Sequence, residues 1–212
     1  MLPDPLTEIA LGALLGLRHA TDSDHVVAVT AIVSRERSLG RAAGIGALWG
    51  VGHTLTLLVV GGAIVTFRLV IPPRVGLALE FSVALMLIVL GFTNLRARDD
   101  APRAPVRPFL VGLVHGLAGS AAVSLLVLAT IRGTFDALVY LFVFGLGTIS
   151  GMMAVTMLLA APTLYAGARV TRFQSAIRLA AGALSIAFGL MLARTLIVDG
   201  GLFSAVPTWA PR

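Results

Sequence analysis

Apolar residues gather into six long runs, at roughly 8–33, 42–67, 75–95, 108–131, 137–163 and 176–198, separated by shorter segments that carry most of the arginine and proline. Each run has about twenty or more mostly apolar residues, enough as a helix to cross the ~30 Å of a bilayer's hydrocarbon core. The pattern predicts an all-α, polytopic membrane protein with six transmembrane helices. The second and fifth are long enough to tilt, and Pro162 marks or kinks the end of the fifth. The first run has the length of a signal-peptide core, but Asp4 and Glu8 stand where such a peptide carries positive charge, so it is expected to stay in the protein.

A weak internal repeat divides the chain at the Arg- and Pro-rich loop 96–108. LLGLRHA (14–20) aligns with LVGLVHG (110–116), and GVGHT (50–54) with GLGTI (145–149), at nearly the same offset. With three spans in each half, the second half enters the membrane from the opposite face. The expected plan is a single transmembrane domain over 1–212, built as a 3+3 inverted repeat with halves at roughly 8–95 and 108–198. Sites in such proteins lie at the midplane between the halves.

Composition sharpens the picture without changing it. Hydrophobic residues make up 58% and charged residues 12% of the 212, more apolar surface than a soluble domain of this size needs. Cysteine is absent, which removes disulfides, thiolate metal sites and cysteine nucleophiles. All sixteen basic residues are arginine, and the net charge is +6. They fall mostly in loops, where they orient a membrane protein rather than bind nucleic acid. Ten lie in loops 34–41, 96–107 and 164–178, against four on the opposite side (Arg68, Arg74, Arg132 and Arg212), which puts both termini outside.

One stretch breaks the apolar pattern. RHATDSDH (18–25) places an arginine, two histidines and two aspartates inside the first run. Arg18, Asp22 and Asp24 would cost on the order of 8–10 kcal/mol if left unpaired in hydrocarbon. An Arg–Asp pair neutralises one aspartate, yet leaves the second aspartate and both histidines without a purpose. Imidazole and carboxylate together suit a divalent Ni²⁺, Co²⁺ or Zn²⁺, whose charge would offset both aspartates. On a straight helix His19, Asp22 and His25, at i, i+3 and i+6, share one face, and Asp24 points away from Asp22. Either Asp24 supports the ligands from behind, or the helix breaks through 18–24 and the turn lines a cavity, with Thr21 and Ser23 satisfying freed backbone groups.

The remaining histidines, His53 and His115, also lie inside runs, so all four histidines of the chain are in predicted spans and none is in a loop. Together they make a functional cluster of His19, Asp22, Asp24, His25, His53 and His115, with metal ligation as its leading chemistry. Small-xxx-small pairs at Gly12/Gly16, Gly46/Gly50, Gly112/Gly116 and Gly147/Gly151 would bring backbones close enough for these short side chains to converge. Thr54, Thr56, Ser120 and Ser124 are expected as helix-to-helix hydrogen bonds, Trp49 and Trp209 as packing or interfacial residues, and Glu80 as interfacial. Met152, Met153 and Met157 are expected to fill gaps.

RHATDSDHVVAV resembles the signature of the nickel/cobalt transporter family, a histidine, four residues and then Asp-His. His19, Asp24 and His25 occupy those positions, and Asp22 matches the earlier aspartate. GVGHTLTLL resembles the second motif, through His53 and Thr54. The family's acidic motif, of the form FGLGFDTATE, is here FGLGTISGMM (144–153), without either carboxylate. GLVHGLAGSAAV and the six spans are similar to the smaller urease-accessory (UreH-like) and hydrogenase-accessory nickel permeases. The resemblance implies a non-enzymatic permease of a bacterial cytoplasmic membrane. Ni²⁺ or Co²⁺ would be its substrate rather than a resident cofactor, the lipid bilayer its setting, and urease or hydrogenase maturation its indirect partner. Homo-oligomerisation stays open. The alternatives are an exporter of metal or anion on the same architecture, and a membrane haem or metal protein using His19 and His53 as axial ligands. The second lacks C-x-x-C-H and has no use for the aspartates.

Overall fold

Polar residues inside apolar runs need protein around them, and the helices are arranged to supply it. The computed structural model describes residues 5–34, 36, 38–96, 106–117, 131, 133–167 and 171–209. Among these, regular structure is helical throughout: α1 (Pro5–His19), α2 (Ser23–Val33), α3 (Leu39–Phe67), α4 (Pro73–Arg96), α5 (Arg107–Gly116), α6 (Thr134–Gly167) and α7 (Thr171–Val198). Four segments are long and apolar enough to cross a membrane: Leu39–Phe67, Pro73–Arg96, Thr134–Pro162 and Ser175–Val198. They correspond to the second, third, fifth and sixth apolar runs. Helix α6 runs past Pro162 to Gly167.

The first run is not one helix. It divides into the 15-residue α1 and the 11-residue α2, with a turn at 20–22. A straight helix with three ligands on one arc is thereby replaced by the broken alternative. The turn satisfies its own backbone: Thr21 N–H donates to the Arg18 carbonyl (2.9 Å), Asp22 N–H to that of His19 (3.1 Å) and Val26 N–H to that of Asp22 (3.0 Å). The Thr21 hydroxyl also donates to the Arg18 carbonyl (2.6 Å). Of the fourth run the described part is α5 and its cap; Ser120 and Ser124 lie outside the described residues, as do Arg35, Arg37, Arg98, Arg103, Arg132, Arg169 and Arg212.

Close contacts between small residues set the packing. A Cβ on Gly16 would overlap the Phe144 carbonyl oxygen and lie 2.8 Å from Thr148 N, while one on Gly112 would overlap the Trp49 carbonyl oxygen and lie 2.9 Å from His53 N. Gly12 meets Tyr140, Gly16 meets Phe144, and Gly151 meets Leu17 and Ala20, so α1 and α6 run parallel. Phe109 meets Gly52 and His53 meets Gly116, so α5 and α3 run parallel too. Gly46 against Met152, Gly50 against Ile149 and Thr54 against Gly145 make α3 and α6 antiparallel. It follows that α1 and α5 run in opposite directions. The pair α4 and α7 is antiparallel as well, through Gly91 on Gly182, Ser185 Oγ–H on the Leu87 carbonyl (2.7 Å) and Gly189 on Ala84.

The expected helix-to-helix hydrogen bonds are present at Thr54, whose hydroxyl donates to the Gly145 carbonyl (3.2 Å), and at Thr56, whose hydroxyl donates to that of Leu113 (3.1 Å). Glu80 departs from expectation. It is buried, and its carboxylate accepts the Trp209 indole N–H at 2.8 Å, tying the end of the described chain over the start of α4.

Candidate metal centre

Three helix ends and one helix middle build the site. His19 ends α1, Asp24 and His25 open α2, and His115 lies in the last turn of α5. His53 is the middle residue of the 29-residue α3. All four histidines are buried, His19 at 5% exposure and the other three at 1% or less. They form a continuous group: His25 lies with its ring centroid 4.6 Å from His19, 5.3 Å from His53 and 4.4 Å from His115.

The aspartates hold the rings. Asp22 Oδ2 is 2.8 Å from His19 Nδ1, and Asp24 Oδ1 is 3.0 Å from His25 Nδ1 while also accepting the His25 backbone N–H at 3.0 Å. The other Asp24 oxygen, Oδ2, is 3.0 Å from His115 Nε2. Asp22 takes the position before α2 without capping it, because its carboxylate is turned to His19 instead. A carboxylate on one ring nitrogen fixes the tautomer and leaves the other nitrogen as a lone-pair donor. The free edges turn towards each other. His19 Nε2 and His53 Nε2 are 3.0 Å apart. His25 Nε2, His53 Nδ1 and His115 Nδ1 are buried and make no hydrogen bond among the described residues.

All six residues expected at the site are therefore brought together. Among the described residues, two groups have donor atoms lying within 4.8 Å of one another: His19, His25 and His53, and Asp24, His25 and His115. Arg18 is the residue that stays away, exposed on the surface of α1. Trp49 is the residue that sequence reasoning missed: its ring stacks on His25 (5.6 Å, 12°) and lies 5.5 Å from His115. Its signal was position, since it stands four residues before His53 and so on the same helical face. Phe144 stands to His19 as Trp49 stands to His115, with ring centroids also 5.5 Å apart.

The urease accessory protein UreH of Bacillus sp. (strain TB-90) is 34% identical to this chain over 220 residues, covering 94% of this chain and 96% of that protein. The chain belongs to the UreH-like branch of the nickel/cobalt transporter family. No protein-family profile and no solved structure matches it. Membership agrees with four span-length apolar helices and makes the chain a multi-pass membrane protein of the permease type, not an enzyme.

Proposed function

We propose that the protein carries Ni²⁺, or Co²⁺, across a bacterial cytoplasmic membrane through the buried His/Asp cluster, in the service of urease maturation. The carrying observation is the 3.0 Å between His19 Nε2 and His53 Nε2 beside the unpartnered His25 Nε2. Ligand nitrogens about 2.1 Å from one cation at a right angle to each other stand about 3.0 Å apart, so the hydrogen bond that joins the two rings holds them at a spacing an ion could take over. Asp22 and Asp24 supply the negative charge that a dication neutralises, and they pair with imidazoles.

The 3+3 inverted repeat is the architecture that makes this transport. Its support is the recurrence of contacts at the repeat's own offset. Gly16 meets Phe144 and Thr148 as Gly112 meets Trp49 and His53, and Gly147 meets Ala13 as Gly52 meets Phe109. Corresponding helices run in opposite directions, as an axis in the membrane plane requires. Rocking of one half against the other would expose the midplane cluster to each side in turn.

Accumulation of radioactive nickel in cells expressing the wild type or His19→Ala, with cobalt and zinc as competitors, tests the reading. Wild-type cells should accumulate nickel and the variant should match cells without the protein. Equal accumulation by wild type and variant removes His19 from the site. Higher accumulation in cells without the protein assigns export.

A further inference from the structure

We propose that the cluster holds one ion at two alternative positions that share His25, an all-imidazole position formed by His19, His25 and His53 and a mixed position formed by Asp24, His25 and His115. This rests on the metal-ion reading of the cluster. The donors divide into these two groups, and His25 is their common member. Its ring touches all three other imidazoles. Its two nitrogens have different surroundings: Nδ1 faces Asp24 at 3.0 Å, and Nε2 is buried without a partner among the described residues.

The lone-pair directions of an imidazole diverge too widely for one ion to use both nitrogens. A neutral ring has only one lone pair to give. The two positions are therefore exclusive, and the chain carries a single ion. In the first state the ring's N–H is on Nδ1, donated to Asp24, and Nε2 binds the ion. In the second Nδ1 binds the ion and Nε2 carries the N–H: the Nδ1 proton leaves to water and Nε2 takes one from water that enters as the ion moves, so the ring's proton count is unchanged. Asp24 prepares the second position by joining His25 Nδ1 to His115 Nε2 through its two oxygens.

The positions also have a direction. His19 terminates α1 and His115 lies in the last turn of α5, and these helices run oppositely, so the two helices approach the cluster from opposite ends of the bundle. Passing from one group to the other moves the ion across the midplane while His25 stays a ligand.

The test uses the full-length protein in detergent, titrated calorimetrically with Ni²⁺ alone, and the same variants in proteoliposomes for nickel uptake. Wild type should bind one Ni²⁺ per chain. His19→Gln and His115→Gln should each still bind one, weakened by no more than about 10-fold, whereas His25→Gln and the double variant should lose about 100-fold or more. Both single variants should lose uptake, since each breaks the passage. If either single variant binds as poorly as His25→Gln, or transports normally, the two-position arrangement is wrong, as it is if wild type binds two ions. A measurement that needs no variant is the nickel K-edge absorption of the wild type: three imidazoles at most are expected, and four would overturn the proposal in favour of one composite site. Failure of wild type to bind Ni²⁺ at all would instead reject the underlying metal reading.

Discussion

Asp24 shows where residue-level reasoning succeeds and where it stops. That the four imidazoles belong together was legible, because histidine inside apolar runs and nowhere else has no cheap explanation in lipid. Which carboxylate serves which ring was not. On a straight helix Asp24 points away from the cluster, and only the turn at 20–22 swings it between His25 and His115. Trp49 was hidden for a similar reason, since an indole packs as well against lipid as against a ligand. The chemistry of the rings fixes a pH dependence. A protonated imidazole has no lone pair for a cation, so the site is competent above the imidazole range and fails below it. Nickel uptake measured from about pH 8 down to about pH 5 should fall across that range. Uptake that rises on acidification would exclude histidine ligation as the controlling step.

At the scale of elements, periodicity located the helices closely: expected runs 42–67 and 75–95 became Leu39–Phe67 and Pro73–Arg96. The break in the first run was left open because residues 20–22 are Ala, Thr and Asp, with no glycine or proline to announce it. What favours it is tertiary, the pairing of Asp22 and Asp24 with three histidines from three helices. The glycine spacing was more informative, since it named contacts that the helices make. Gly112→Leu should force α5 away from Trp49 and His53, lowering thermal stability by about 1–3 kcal/mol and displacing His115 from the site. Gly44→Ala, at a position with nothing within 4 Å, should leave stability unchanged or raise it by at most about 1 kcal/mol. Melting of the purified variants followed by size-exclusion chromatography reads both, and equal behaviour would mean that glycine is not needed where α5 meets α3.

For the molecule as a whole, the proposed repeat of two halves would not make two like sites. The repeat pairs His19 with His115, but it pairs His53 with Thr148, whose buried hydroxyl only returns a hydrogen bond to its own helix at Phe144. On that repeat the imidazoles are concentrated in the first half, an asymmetry that the alignment of GVGHT with GLGTI already contained. Orientation is checked directly, because the natural chain has no cysteine. A single thiol at Ser204 should react with an impermeant maleimide in intact cells, and one at Ser38 only in inverted vesicles. The reverse pattern would turn the protein over in the membrane and overturn the arginine-based assignment.

The turn between α1 and α2 has one more consequence, outside the cluster. Arg18, Thr21 and Ser23 are exposed on this flank, at the depth where α1 ends, and the Asp22 side chain is 38% accessible. With the cluster at mid-membrane, as proposed, acyl chains would not solvate an arginine at that level, and headgroups and water would dip inward beside α1 and thin the bilayer locally. A hydrated ion arriving on that side would then have only a short dry distance left before it meets His19.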